Sequence, residues 1–176
     1  MKVADTLSDR QLYTDLKAQL KSHQLLVQME LSIPNRVNLH QCLQNIFLDD
    51  QLRNKVTIAK KSEPDLYTHS LRASISAAII GFYLGMSQGD CNCLATAGLI
   101  HDLGHMHMDS SKLKSNHLLL PEEKKIVYAH PVIMYLLLRD SRAYHPNVSV
   151  PVLEHHERRW GCHWSNTLRS THCGNY

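Results

Sequence analysis

Histidine is the residue type in this sequence whose number and placement could support chemistry. The chain of 176 residues holds 13 histidines, and they are unevenly spread. Five of them, together with one aspartate, interrupt stretches that are otherwise apolar. In chain order they are His69, the pair His101–Asp102, His130 and the pair His155–His156. Because a buried imidazole or carboxylate without a partner costs free energy, such groups in successive apolar stretches are expected to meet one another.

A metal ion could bind several of these side chains at once. Imidazole and carboxylate groups are both ligands of first-row metals. Six ligands are too many for one tetrahedral ion with an open position, but they suit two ions with Asp102 as the bridge. Two ions at close range activate water and polarise a phosphoryl oxygen, which is the chemistry of phosphoester hydrolysis.

Each residue also has an ordinary structural interpretation. A single histidine on an apolar face is more often a hydrogen-bonded core residue than a ligand. The pair His101–Asp102 could be a cation beside a carboxylate at a helix end, and the segment 155–157 could be a solvated face. For the six residues together, this structural interpretation explains less, because polar residues of this kind recur in four successive predicted apolar helices.

The elements that must position these residues are predicted to be helices, which makes the fold class all-α. Apolar residues recur at helical spacing, and no segment shows convincing alternation with period 2. Hydrophobic residues make up 43% of the chain, while aromatics (6%), glycine (7) and proline (6) are too sparse for a β-sandwich. The predicted helices run from Ser8 to about Leu31, over Leu39–Leu48, over Leu66–Met86, from Ser87 to Gly104, from Pro121 through Leu138, and around Pro151 to His156.

The chain is predicted to be an intracellular protein. Five cysteines form an odd set without framework spacing, and the first residues lack the apolar core of a secretory signal. The longest apolar stretch is too short to span a bilayer. A net charge of +3 is too small to indicate binding to a nucleic acid polymer. A cytoplasmic location without membrane partners is therefore expected.

The ordered set of motifs resembles the HD-GYP subgroup of the HD metal-dependent phosphohydrolases. The motifs are YTHSLR (67–72), AGLIHDLGHMHMD (97–109), LPEEKKIVYAHP (120–131) and LEHHERRWG (153–161). The HD dipeptide alone is a weak signal, whereas the four motifs in order are specific. The resemblance implies an HD-like helical bundle over residues 63–161, preceded by a helical appendage (1–62) and followed by an irregular tail (162–176).

The resemblance also implies roles for single residues. The family's metal ligands fall on His69, His101, Asp102, His130, His155 and His156, with Asp102 as the bridging carboxylate. Asp65 lies one helical turn before His69, where some members carry a further acidic ligand, although it could simply be a carboxylate at a helix N-terminus. Lys114 falls near a family lysine that meets the substrate phosphate, although it could equally be a surface lysine. Asp102 and Lys114 are thus the predicted catalytic residues, and Lys114 and Arg158 the predicted substrate contacts.

The implied activity is hydrolysis of cyclic di-GMP to linear pGpG or to GMP. Water activated at two divalent ions would attack phosphorus in line, and the ions and Lys114 would stabilise the negative charge that develops. Iron or manganese suits a site of mixed imidazole and carboxylate ligands. The expected partner is a cyclic dinucleotide or another phosphoester substrate.

The sequence departs from the subgroup in three places. The motif Gly-Tyr-Pro is absent, since HHERRWGCHWSN follows position 154. No Asp or Glu follows Glu157, although the family carries a further aspartate ligand there. His105 and His107 stand where the family often has lysine and an apolar residue. We therefore expect at least one bound metal and weak or absent cyclic di-GMP hydrolysis.

The tail (residues 161–176) has two interpretations. It could be a motif cut off by a frameshift or an early stop, which the coding DNA would test. Alternatively, four of its side chains could bind zinc as a small clip, although their spacing is not that of a standard finger. These are Cys162, His163, His172 and Cys173.

Two further functions remain open at this stage. The chain could be an HD phosphohydrolase that acts on another nucleotide, which the missing Gly-Tyr-Pro motif favours. It could instead be a non-catalytic signalling module that binds partners, or a second copy of itself, through the N-terminal helices. Residues 8–60 are amphipathic enough for a dimer interface, although a hairpin packed on the core is the commoner outcome.

Overall fold

Helices account for the regular structure throughout the part of the chain that the structure describes. The computed structural model describes residues 6–33, 36–107, 127–141 and 143–157, and no strand occurs among them. The predicted all-α fold class is confirmed. In chain order the elements are α1 (Asp9–Ser22), α2 (Gln24–Ser32), α3 (Arg36–Gln44), α4 (Asp50–Ser62), α5 (Pro64–Tyr83), α6 (Gln88–Ile100), a 3-10 helix (Leu103–His107), α7 (His130–Ser141) and α8 (Pro146–Glu154).

Several helix ends follow from local sequence signals. The hydroxyl of Ser8 accepts a hydrogen bond from the backbone N–H of Gln11 at 3.2 Å and caps α1. The hydroxyl of Ser87 accepts from the N–H of Asp90 at 3.1 Å and caps α6, as the sequence predicts. Pro64 occupies the first turn of α5, where its missing N–H costs no hydrogen bond.

The prediction of one continuous helix from Ser8 to about Leu31 is wrong. The backbone of His23 is extended (φ −107°, ψ 106°) and divides the segment into α1 and α2. A continuous helix would place Gln24 one turn beyond the buried Leu20. The break changes which residues of the segment face the core, so that Leu26, which is 3% exposed, is buried instead. Burial of an apolar side chain thus outweighs the continuity of the helix.

Other predicted helix boundaries also differ. The helix that begins at Ser87 ends at Ile100 rather than at Gly104, and the pair His101–Asp102 lies in the turn before the 3-10 helix. The pair His155–His156 follows the end of α8 instead of lying within it. The predicted helix start at Pro121 lies outside the described residues, but a continuous run to Leu138 is wrong, because residues 128 and 129 form a turn and α7 begins at His130.

The core is one cluster of apolar side chains drawn from both ends of the described chain. The longest helix, α5, packs against α1, α4 and α6, and its contact with α6 is the most extensive between helices. Leu16 of α1, Ile75 of α5 and Leu99 of α6 are each fully buried in this cluster. The N-terminal helices are therefore packed on the helix that carries His69. No helix of the described residues has the length and apolar character needed to cross a membrane.

Candidate metal centre

The structure brings six of the predicted ligands together in two overlapping clusters. One cluster contains His69, His101 and Asp102, and the other contains Asp102, His130, His155 and His156. In each cluster one ligand atom per residue lies within 4.8 Å of all the others. His69 projects from α5, while the remaining members lie at the ends of helices: after α6, at the start of α7 and after α8.

The carboxylate of Asp102 belongs to both clusters because its two oxygens face different imidazoles. Its Oδ2 lies 3.3 Å from Nε2 of His69 and 3.2 Å from Nε2 of His101. Its Oδ1 lies 3.1 Å from Nε2 of His130 and 3.4 Å from Nε2 of His155. One carboxylate thus separates two pairs of imidazoles, which is the arrangement expected of a ligand that bridges two ions.

Backbone carbonyls fix the orientation and the tautomer of three of these rings. The Nδ1 atoms of His101, His130 and His155 lie 2.9, 2.6 and 2.7 Å from the carbonyl oxygen three residues earlier in the chain. A carbonyl oxygen only accepts, so each Nδ1 carries the proton and donates. In a neutral ring the lone pair is then on Nε2, the nitrogen that faces Asp102. Metal-binding histidines commonly have this second hydrogen bond.

These contacts require a positive charge within the cluster. The Nε2 atoms of His130 and His155 lie 3.0 Å apart, and those of His69 and His101 lie 3.3 Å apart. Lone pairs at such distances repel each other and the carboxylate unless a proton or a cation lies between them. In each cluster, a divalent ion bound by the converging nitrogens and an Asp102 oxygen would remove this repulsion. The donor set of each cluster therefore fits such an ion.

A family comparison agrees with this donor set. The model of the HD domain family matches residues 66–168, which is more than half of the 176-residue chain. The chain belongs to the HD domain family. Its members are in general metal-dependent phosphohydrolases that bind divalent metals, which agrees with the predicted superfamily. Searches of curated proteins and of solved structures returned no match.

The electrostatics of the HD domain favour an ionised Asp102. Burial alone would raise the pKa of its carboxyl group, but the facing imidazoles of His101, His130 and His155, in the protonated form that can donate from Nε2, hold that pKa far below its usual range. Burial, and then the neighbouring His155, lower the pKa of His156. The cluster therefore offers a carboxylate anion together with an imidazole that favours its neutral form, and both are the ligating states.

Close packing of the backbone positions His130. A Cβ atom placed on Gly104 would lie only 2.3 Å from the carbonyl oxygen of His130, so no larger residue fits there without a shift of the backbone. Gly104 immediately follows Leu103, which begins the 3-10 helix after Asp102. The glycine of the HD motif thus allows the segment that carries Asp102 to approach the start of α7.

Of the three remaining predicted site residues, Asp65 alone lies in the described part of the chain. Asp65 lies in the first turn of α5 and is exposed, and neither cluster of the described residues includes it. Its role as an extra ligand stays a prediction. Lys114 and Arg158 lie outside the described residues, as do the tail residues that could form a zinc clip.

His105 is a residue of the centre that the sequence reasoning did not include. Its ring stacks on that of His130, with ring centroids 3.7 Å apart and planes inclined by 28°. Its Nε2 lies 3.9 Å from Oδ1 of Asp102, which is longer than a hydrogen bond. Burial, followed by the neighbouring His130, lowers the pKa of His105 to about 4. Its place in the sequence, three residues after Asp102 in a short helix, was the available signal.

Proposed function

We propose that this HD domain hydrolyses a phosphodiester with two divalent ions bridged by Asp102. His69 and His101 would hold one ion on the Oδ2 side. His130 and His155, with His156, would hold the other on the Oδ1 side. The division of the two Asp102 oxygens between separate imidazole pairs is the observation that carries the proposal.

The ligand residues differ in access to solvent, which indicates where a substrate would enter. The side chain of His130 is fully buried, whereas that of His69 is 58% exposed. His156 is also exposed. When bound, the two ions would supply an activated water and would stabilise the negative charge on the phosphoryl oxygens. The phosphodiester would then approach from the open side near His69 and His156, while the buried side fixes the ligand geometry.

Cyclic di-GMP is the substrate that we propose, on the basis of the four HD-GYP-like motifs in order. The resemblance assigns Lys114 and Arg158 to contacts with the substrate and Asp65 to an additional ligand. Iron or manganese suits the combination of several imidazoles with one carboxylate. The absence of the Gly-Tyr-Pro motif favours a second candidate, an HD phosphohydrolase acting on another nucleotide.

A non-catalytic module that acts through its N-terminal helices, as a homodimer or with another partner, is the third candidate. The amphipathic pattern of residues 8–60 supports it. However, Leu12, Leu16 and Leu20 of α1 are at most 2% exposed within a single chain. These side chains already pack inside the chain, which favours the enzymatic candidates. Size measurement of the protein in solution would test the dimer.

Turnover of two substrates separates the enzymatic candidates. The chain is incubated with added Mn²⁺ and either cyclic di-GMP or a generic chromogenic phosphodiester, and the products are separated by chromatography. Linear pGpG or GMP supports the first candidate. Turnover of the generic ester alone favours the second candidate. If neither substrate turns over while two ions are bound, the catalytic proposal is wrong.

Asp102→Ala is the variant that assigns any activity to this centre. Loss of the bridging carboxylate should abolish turnover, because both ions lose a ligand. Asp140→Ala is the matched control, since the Asp140 carboxylate is 75% exposed on α7 and pairs only with Arg139 among the described residues. Activity that survives in Asp102→Ala would belong to another site or to a contaminant.

A further inference from the structure

The two halves of the metal centre are built unequally, although they share Asp102. Among the described residues, the Oδ2 half has two imidazoles, those of His69 and His101. The Oδ1 half is the other cluster, in which His130 and His155 face Oδ1 and His156 is a third imidazole within reach of the same ion. Since each additional protein ligand adds to the affinity for a metal ion, the ligand count alone favours the Oδ1 half.

Hydrogen bonds behind the ligands add to this difference. In the Oδ1 half, His130 and His155 each donate from Nδ1 to a backbone carbonyl, at 2.6 and 2.7 Å. In the Oδ2 half, His101 has such a bond at 2.9 Å, whereas the contacts of His69 with the described residues come from its Nε2 and its ring face. Such bonds fix ring orientation, and losing one typically lowers metal affinity 10- to 100-fold.

Packing distinguishes the two halves in the same direction. The side chain of His130 is fully buried, and the ring of His105 stacks on it at 3.7 Å. The side chain of His69 is 58% exposed. An exposed imidazole must be ordered when the ion binds, whereas a packed one is already in place. His156 is exposed as well, but the Oδ1 half also has two packed imidazoles, those of His130 and His155. The Oδ2 half has only the packed imidazole of His101 among the described residues, so fewer of its ligands are already in place.

We propose that the two ion sites differ in affinity, with a tightly held ion on the Oδ1 side and an exchangeable ion on the Oδ2 side. This inference rests on the two-ion function proposed above and extends it. The Oδ2 half exchanges its ion with solution, while the Oδ1 half retains its own. Activity of the chain then follows the concentration of free divalent cation, because both ions are needed for turnover.

A titration of the metal-free protein with Mn²⁺ tests the proposal without reference to activity. Electron paramagnetic resonance of free Mn²⁺ gives the number of ions bound and their affinities. Two steps whose dissociation constants differ by about tenfold or more are expected. Dialysis against a chelator of intermediate affinity should then leave one ion per chain. Two steps of equal affinity would overturn the inference while leaving the two-ion function intact.

Single-histidine variants assign the steps to the two halves. His69→Ala should remove the weak step and leave the tight step unchanged, whereas His130→Ala should remove the tight step. His107→Ala is the control, because His107 lies outside both clusters and contacts Lys55. Loss of both steps in His69→Ala would overturn the inference. The two-step titration of the parent protein remains decisive if His130→Ala fails to fold.

The same titration separates this inference from the function on which it rests. A parent protein that binds one ion or none, even at millimolar Mn²⁺, contradicts the two-ion function and the inference together. A parent protein that binds two ions equally contradicts the inference alone.

Discussion

Three imidazoles of the metal centre each donate from Nδ1 to the carbonyl oxygen three residues earlier in the chain. This local contact is available at a helix end, where a carbonyl lacks its usual helical partner. In a neutral ring, it leaves the other nitrogen with the lone pair and directed at Asp102. At the scale of single residues, the backbone therefore orients the rings of His101, His130 and His155 as a candidate ligand set requires.

Gly104→Ala should shift the backbone at His130 and so disturb the orientation of its ring. The added methyl group would lie 2.3 Å from the His130 carbonyl oxygen, a distance that forces the backbone to shift. We expect a loss of about 1–3 kcal/mol in the free energy of unfolding and weaker binding of the tightly held ion. Thermal unfolding of the metal-free protein and Mn²⁺ titration measure the two effects. Gly89→Ala is the control, since its Cβ would meet only the Ser87 hydroxyl at 3.8 Å. Equal behaviour of both variants would contradict the argument.

Cys42 gives a prediction that depends on pH. Burial, followed by the nearby Cys91, raises the pKa of the Cys42 thiol to about 12. The folded state thus keeps this proton at a pH where the unfolded state loses it. The contribution of Cys42 to stability is unaffected below the ordinary pKa of a thiol, and stability falls as the pH rises from there towards 12. In the native protein at pH 8, iodoacetamide should therefore modify Cys42 much more slowly than in urea.

Peptide mapping by mass spectrometry measures this reaction at each cysteine. Cys93 is the internal comparison, because its side chain is partly exposed while that of Cys42 is 1% exposed. Native labelling of Cys42 at the rate seen in urea would show that the thiol is accessible.

At the scale of the elements, the sequence predicted which helices carry the side chains that cluster around Asp102, but not how the ends of these helices are shaped. These side chains could be predicted because each stands beside a strongly apolar helical run. The turn at His101–Asp102 could not be predicted in this way, because it depends on the approach of the 3-10 helix to α7. The break at His23 was also missed, since it reflects which leucine enters a core that α5 and α6 complete. His105 was missed because only the assembled fold stacks it on His130.

Gly98→Ala tests how closely α5 and α6 must pack to bring their ligands together. A Cβ on Gly98 would lie 2.8 Å from the carbonyl oxygen of Ala73, and all its near neighbours are backbone atoms of α5. The helices must separate to accept it, which should cost about 1–3 kcal/mol. Because His69 lies on α5 and His101 follows α6, the exchangeable ion should bind more weakly. Thermal unfolding and Mn²⁺ titration check both effects, again with Gly89→Ala as control. An unchanged weak step would show that the separation does not reach the ligands.

At the scale of the whole molecule, the N-terminal helices and the metal centre depend on a common core. Asp15 of α1 accepts hydrogen bonds from Lys60 of α4 at 2.5 Å and from the Tyr67 hydroxyl at 2.7 Å. Tyr67 lies two residues before His69 on α5. The predicted boundary near residue 62 falls between α4 and α5, yet polar and apolar contacts cross it. The helices α1 to α4 thus pack on α5, the helix that carries His69.

Leu16→Ala tests this dependence, because Leu16 is fully buried in α1, far in sequence from every ligand. Removing its side chain should leave a cavity in the shared core and lower the free energy of unfolding by about 2–5 kcal/mol. If the core is common, α1 and α6 should lose hydrogen-exchange protection together, since a cooperative unit opens as a whole. Leu25→Ala is the control: Leu25 is 58% exposed on α2, and its truncation should change stability by less than about 0.5 kcal/mol. Loss of protection confined to α1, with α6 unchanged, would show that the N-terminal helices form a separate unit and that the metal centre does not rely on them.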